Sequence, residues 1–275
     1  MKNINTTDGK ILIVDIEVSP MVSYSYPPMW QTNTFNVIQY QVLMSFSYKW
    51  LGESKVHHVQ LPDFKARYKA DKYDDKDITI ALHKVFDEAN VIVGHNIRGF
   101  DIKMANTFFV KHGLGAPSPY KTVDTLVQAR RIFKYPSNRL DEISKYQGRK
   151  GKTEVKVGQL WYPCLVDKDM ASWKLMREYN NQDVVETENT YLIQRGFDRS
   201  HPNLGVILNK QGVCAHCGHD STSFQSRGIE NRVSGPVRRY WCNPSKGGCG
   251  GWNYPRYIEP EERLVKEDRP DFVAG

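Results

Sequence analysis

Hydrophobic and polar positions along the chain follow two periods, one of two residues and one of between three and four, and the chain switches between them several times. Lys10 to Glu17, KILIVDIE, is an apolar run interrupted by acids two residues apart, the pattern of a buried strand. Residues i and i+2 of a strand share a face, so Asp15 and Glu17 point the same way. Val42 to Leu51 and Lys55 to Leu61, rich in Val, Phe, Tyr and Trp and separated by Gly52-Glu53-Ser54, read as a hairpin. Ile78, Ala81, Leu82, Val85, Phe86 and Ala89 have the spacing of one helix face, and Val91-Ile92-Val93 reads as a short buried strand ending at Gly94. Asp101 to Lys111 follows as a helix, Tyr120 to Asp124 as a strand, and Thr125 to Phe133 and Arg139 to Gln147 as helices. Met170 to Gln194 is the longest helical stretch, with Asp169 placed as its N-cap. Gly148 to Asp167 fits neither period, and no repeat of fixed length is present. The order predicts an α/β layered domain with a mixed sheet flanked by helices.

Composition narrows the class. At 275 residues, 40% apolar and 25% charged, the chain has ordinary globular composition, with length for one large domain and a satellite or for two modest ones. Its apolar runs fall short of the ~20 residues that cross a bilayer, and Met1 to Lys10 lacks the apolar stretch of a signal peptide. An intracellular, cytoplasmic protein is expected. The formal charge is +7, divided as +5 over residues 1–209, +5 over 210–256 and −3 over 257–275. Two basic bodies and an acidic tail favour a polyanionic partner, against the plain alternative that the charge serves solubility. These limits also give the expected domains: 1–209, 210–256 and an acidic tail 257–275.

Three groups of residues carry candidate chemistry. Asp15 and Glu17 end a core strand, where carboxylates on one face must be solvated, hydrogen-bonded or bound to a cation. Gly94-His95-Asn96-Ile97-Arg98-Gly99-Phe100-Asp101 takes a strand end through a loop to an acid that opens a helix, a position also favourable for an acid on its own. Tyr179 and Asp183, spaced i, i+4, share a helix face, although one such pair is more often a surface hydrogen bond.

Taken together, Asp15-x-Glu17, Asn96-x3-Phe100-Asp101 and Tyr179-x3-Asp183 resemble, in order and context, the three motifs of the DEDD 3′–5′ exonucleases, in the variant with Tyr in the third motif. GHNIRGFDI at Gly94 to Ile102 is most similar to the proofreading domain of family-B DNA polymerases. The resemblance covers residues 10 to 195, is specific at the motifs and loose between them, and implies a ribonuclease H-like fold in a stand-alone relative of a kind bacteriophages often encode, acting in replication or repair in the host cytoplasm. It implies that Asp15, Glu17, Asp101 and Asp183 ligate two Mg²⁺ or Mn²⁺, hard cations suited to oxygen ligands. A pair of such ions ~3.5–4 Å apart activates water and stabilises the leaving oxygen of a phosphodiester. Tyr179 is expected to orient the attacking water, since an unperturbed phenol titrates near ~10. Asn96 and Phe100 are candidate substrate contacts, or hold the loop and pack beneath the site. His95 is rejected as a base, because the position that carries His in the sister branch is here Tyr179. Asp124 is expected to support the site rather than ligate.

Around this core, Arg149, Lys150, Lys152 and Lys156 are candidates to track a phosphate backbone. Tyr24, Tyr26, Trp30 and Phe35 are candidates to stack on bases, with a packed loop around Pro27 and Pro28 as the alternative.

Cys214-x2-Cys217 and Cys242-x6-Cys249 form two pairs suited to a tetrahedral Zn²⁺ in a ribbon-like module. The second spacing is wide and glycine-rich, and His216 and His219 are the substitutes if Cys249 does not ligate. A redox dithiol is the competing reading of Cys214 and Cys217. Cys164 is expected to be a packed thiol. A segment this short needs the metal to fold, and its charge with Tyr240, Trp241, Trp252 and Tyr254 interleaved points to nucleic acid, with a protein dock as the alternative. The expected function is a metal-dependent 3′–5′ exonuclease preferring single-stranded DNA. Its rivals are an RNA-trimming exonuclease, a non-catalytic nucleic-acid-binding adaptor and a structure-selective endonuclease.

Overall fold

Alternation along β1 (Ile11–Val18) decides the centre of the fold. Leu12, Val14 and Ile16 enter the apolar core while Asp15 and Glu17 occupy the opposite face, half-buried. A computed structural model describes residues 9–25, 34–149 and 160–254. These divide into two compact units, one of residues 11–127 and 135–188, the other of residues 128–134 and 189–254 with Gly9 and Lys10.

In the first unit, β2 (Val22–Ser25) and β3 (Thr34–Gln39) pair with each other as a separate two-stranded ribbon, which periodicity had not marked. The strands β4 (Leu43–Trp50) and β5 (His57–Gln60) form the expected hairpin and pair antiparallel in the order β5-β4-β1. A short helix α1 (Lys65–Ala70) and the amphipathic α2 (Lys76–Glu88) carry the chain across to β6 (Val91–Gly94), which runs parallel to β1. After α3 (Asp101–Lys111), β7 (Lys121–Asp124) adds in parallel to complete a mixed five-stranded sheet in the order β5-β4-β1-β6-β7. The helices α4 (Thr125–Ile132), α5 (Leu140–Tyr146), α6 (Trp161–Leu165) and α7 (Met170–Gln194) follow, with residues 128–132 of α4 and 189–194 of α7 belonging to the second unit. Ile78, Leu82 and Phe86 of α2 and Ala105, Phe108 and Phe109 of α3 pack with Leu12, Val14 and Ile16 in one core.

The start of α7 is fixed locally. Asp169 accepts the Ala171 N–H (3.1 Å) and the Ser172 N–H (3.0 Å), the N-cap expected from sequence. Cys164, inside the stretch with no clear period, is a buried free thiol that burial pushes up to about 12. No helix among the described residues is long and apolar enough to cross a membrane.

The second unit adds α8 (Leu204–Ile207), capped by Asn203, and a three-stranded sheet of β8 (Phe224–Arg232), β9 (Gly235–Cys242) and β10 (Trp252–Asn253) in the order β10-β9-β8. Here Tyr191 stacks on His201 with ring centroids 5.7 Å apart, and Asp198 binds Gln128 at 2.7 Å and Arg131. Cys242 ends β9 and Cys249 precedes β10, so the antiparallel pairing of this sheet frames the cysteine cluster described below.

Candidate active site and zinc centre

The acidic face of β1 lies opposite two serines of β4, Asp15 against Ser47 and Glu17 against Ser45. Small side chains at those positions leave room for α7, whose polar residues meet this face. The Asn180 amide donates to Asp15 Oδ2 (2.6 Å) and to the Asp15 carbonyl (3.2 Å). Ser47 donates to Asn181 Oδ1 (2.8 Å), and Lys49 pairs with Glu188. The buried residues of α7 include Asn180, Asp183, Glu186, Thr187 and Glu188, so this helix buries polar groups where an ordinary amphipathic helix buries aliphatic ones. Tyr179 lies one turn before the buried Asp183 and is half-buried.

The second acidic segment reaches the same strand. Asp101 opens α3, and its Oδ1 accepts the backbone N–H of Ile16, the residue between Asp15 and Glu17, at 3.2 Å across 85 residues of sequence. Burial pushes the Asp101 carboxyl up to about 7, against the backbone N–H groups that favour its charged form and with the Asp124 charge adding to the rise. A buried carboxyl near other acids is disfavoured as an anion unless a cation offsets it. Carboxylate oxygens are the kind of donor that Mg²⁺ and Mn²⁺ prefer. Among the described residues the cysteines below are the one group of three or more His, Cys, Asp or Glu side chains close enough to share an ion, and Asp15, Glu17, Asp101 and Asp183 do not form such a group as they stand.

Asp124, buried at the end of β7, holds the loop between β6 and α3. Its Oδ1 accepts from Asn96 N (3.1 Å), Leu126 N (3.0 Å) and Val127 N (3.2 Å), and its Oδ2 from Arg98 N (3.1 Å). Asn96 is in the left-handed region (φ 66°), and a Cβ at Gly99 would lie 2.4 Å from its Oδ1, so a larger residue there would displace the Asn96 side chain. Phe100 is 42% exposed and Asn96 is exposed, so neither packs beneath the site; both open to solvent at the start of α3. His95 is held by Thr125 Oγ1 (2.9 Å) and the Asn138 carbonyl (3.0 Å), which leaves both ring nitrogens engaged away from a base role.

Arg149 is committed to Glu186 (2.8 Å) and Ser144 (3.0 Å) inside the fold rather than offered to a phosphate backbone, while Lys150, Lys152 and Lys156 lie outside the described residues. Tyr24 is exposed on β2; Tyr26, Trp30 and the side chain of Phe35 are likewise outside them. Asn180 and the α7 polar seam were missed from sequence, because an amide beside Tyr179 carries no pattern of its own.

In the second unit, Cys214, Cys217, Cys242 and Cys249 converge, with ligand atoms all within 4.8 Å of one another. The Sγ–Sγ separations of Cys214 and Cys249 and of Cys217 and Cys242 are both 3.7 Å. A tetrahedron with Zn–S bonds of ~2.3 Å has edges of about 3.8 Å, so the four sulfurs fit zinc and stand too far apart for a disulfide. The wide second spacing is filled by a turn at Pro244–Lys246, after which Gly248 passes so close to Cys242 that a Cβ would lie 2.6 Å from its Sγ. Cys249 thereby reaches the cluster, and neither His216 nor His219 takes its place. Hydrogen bonds among the thiols, Cys214 first, hold Cys242 well below the usual thiol range and drive Cys249 well above it.

No curated protein sequence matches the chain. Among solved structures, the family B DNA polymerase from the hyperthermophilic archaeon Pyrobaculum calidifontis is similar over 72% of this chain, at 18% identity and a TM-score of 0.49; the match spans 27% of that polymerase. Residues 33–193, more than half of the chain, match the RNase_H superfamily, and the chain belongs to it.

Proposed function

We propose that the chain is a divalent-metal-dependent exonuclease that removes nucleotides from 3′ ends, with single-stranded DNA as its preferred substrate. The observation that carries this reading is a pair of hydrogen bonds. Asp101 to Ile16 N and Asn180 to Asp15 join the strand and both helices that bear the acidic motifs, segments 85 and 165 residues apart. In this reading Asp15, Glu17, Asp101 and Asp183 hold two Mg²⁺ or Mn²⁺, which when bound supply nucleophilic water near neutral pH and offset charge on the leaving oxygen. Asn180 fixes the Asp15 carboxylate, Tyr179 directs the attacking water with its hydroxyl, and Asp124 holds the Asn96–Phe100 loop where its exposed side chains meet the terminal nucleotide. The zinc module, at residues 210–256, grips substrate or a replication partner.

Purified protein with Mg²⁺ and 5′-labelled DNA and RNA oligonucleotides decides between this reading and its rivals. Stepwise shortening of DNA from the 3′ end, abolished by Asp15→Ala and Asp183→Ala, is expected. Equal or faster trimming of RNA would favour the RNA enzyme, since no residue named here reads a 2′-hydroxyl. Cleavage of a circular single strand would favour an endonuclease, and binding without shortening an adaptor.

A further inference from the structure

The second unit holds a cavity of about 500 Å³, lined among others by Phe197, Arg199, His201, Arg232, Trp252 and Tyr254. That size is within the roughly 300–1,000 Å³ of small-molecule pockets and leaves room for one nucleotide. Its walls are aromatic and cationic. Phe197 is 62% and Trp252 40% exposed; Phe197 meets the Phe133 ring edge-on at 5.3 Å, and Arg239 lies over one face of Trp252. The Arg232 guanidinium lies 3.8 Å over the Tyr254 ring and donates to Glu230 (3.2 Å), to which the Tyr254 hydroxyl also donates (2.8 Å). Glu230 is thus held by Arg232 at close range, with the Arg199 charge acting on it from further away. Burial lowers His201 to about 4, so it is neutral at pH 7 and leaves one net positive charge at the cavity.

The cavity continues onto a sheet face built the same way. Arg227 lies over Trp241 (4.9 Å) and Arg239 over Trp252 (5.2 Å), with Trp241 and Trp252 paired across β9 and β10. Arginine–aromatic pairs of this kind occur about once per 70–80 residues; here three fall between residues 227 and 254, so the face is a built feature. The zinc knuckle supplies one wall, because Trp252 follows Cys249 by three residues and a Cβ at Gly251 would lie 2.6 Å from the His216 ring and 3.2 Å from Cys249 Sγ.

We propose that this cavity is a second nucleic-acid site, separate from the acidic face of β1, which seats one nucleotide of a single strand. The base lies against Trp252 and Phe197, Arg199 binds its phosphate, and the Arg227–Trp241 and Arg239–Trp252 pairs carry the neighbouring nucleotides. Bases use both the ring faces and the guanidinium charges, whereas an acidic peptide would use the charge and leave the rings without partners. The site stands independently of the nuclease reading.

The test is binding of a fluorescent phosphorothioate oligo-dT to the full chain without added Mg²⁺, read by anisotropy and by tryptophan quenching. Phe197→Ala, Arg199→Gln and Trp252→Leu are each expected to weaken binding about tenfold, the order of loss expected for one stacking ring or phosphate contact. Trp252→Phe is expected to retain affinity while losing part of the quenching. Zinc content and melting temperature equal to those of the parent chain identify a folded variant. Unchanged affinity in folded Phe197→Ala and Arg199→Gln would overturn the proposal, and so would an oligo-glutamate peptide of equal charge that binds as tightly and competes.

Discussion

The side-chain amide of Asn180 donates to both the carboxylate and the main-chain carbonyl of Asp15, 165 residues away. One amide thus fixes the rotamer of an acid on β1 from the helix that carries Tyr179 and Asp183. Asn180→Leu keeps the size of the side chain but removes the donor. On the proposed reading it is expected to lower nuclease activity by about 10- to 100-fold, as loss of a ligand-orienting hydrogen bond does, and to raise the Mg²⁺ concentration needed for half-maximal rate. A structural role alone would lower stability without moving that concentration.

Asp101 is a metal ligand in the proposed reading and accepts a structural hydrogen bond from Ile16 N, and two substitutions separate the two roles. Asp101→Asn keeps an acceptor for the Ile16 N–H and removes a buried charge. Its melting temperature is expected to equal or exceed that of the parent while turnover falls on the order of 10²–10³-fold. Asp101→Ala also leaves the Ile16 N–H without its partner and should cost about 1–3 kcal/mol of stability. Calorimetry beside a turnover assay checks both; full activity in a folded Asp101→Asn would remove Asp101 from the site.

Asp124 serves the same loop from behind. Four backbone N–H groups end on its carboxylate, so Asp124→Ala is expected to destabilise the protein by several kcal/mol at most, each buried N–H losing on the order of 1 kcal/mol. Hydrogen exchange should speed up at Asn96 and Arg98 before it does in α3.

Removal of zinc is expected to unfold the cysteine-bearing sheet. Freshly folded protein should hold about one equivalent of zinc, and Cys242→Ser or a strong chelator should abolish protection of the amides in β8 and β9, because a module this small has little core of its own. Less than about half an equivalent in protein that retains that protection would count against the metal.

A pH effect follows from His58, which burial lowers to about 4, with Gln60 and Asp63 opposing and Arg177 adding to the shift. An unfolded His titrates near ~6.5, so between about 6.5 and 4 the unfolded chain binds the extra proton. Stability therefore falls as pH drops through that window, by at most about 1.4 kcal/mol per pH unit for this one group. His58→Gln is expected to flatten the fall by one proton's worth, leaving the similar contribution of His201. Denaturant melts at pH 7 and pH 4.5 measure it.

Much of the frame could be read directly from the chain. The shared face of Asp15 and Glu17 and the limits of α3 and α7 follow from periods of two and 3.6 residues, and Asp169 as N-cap from residue type. Cys214 and Cys217 follow from spacing. These are local properties, fixed by backbone geometry and by which side chains prefer to leave water. The β2–β3 ribbon was not legible, because its short, mostly exposed strands bury too little to show a period. Nor was the exposure of Phe100, since an aromatic at a helix start looks the same whether it packs inward or faces solvent.

Tertiary structure alone decided which polar groups are buried together. The amide of Asn180, the Asn96 and Arg98 N–H groups on Asp124 and the capture of Arg149 by Glu186 join residues far apart in sequence. Hydrophobic patterning is blind to them because a polar side chain is worth burying only when its partner is already in place. That partner is supplied by the fold, and no run of neighbouring residues encodes it.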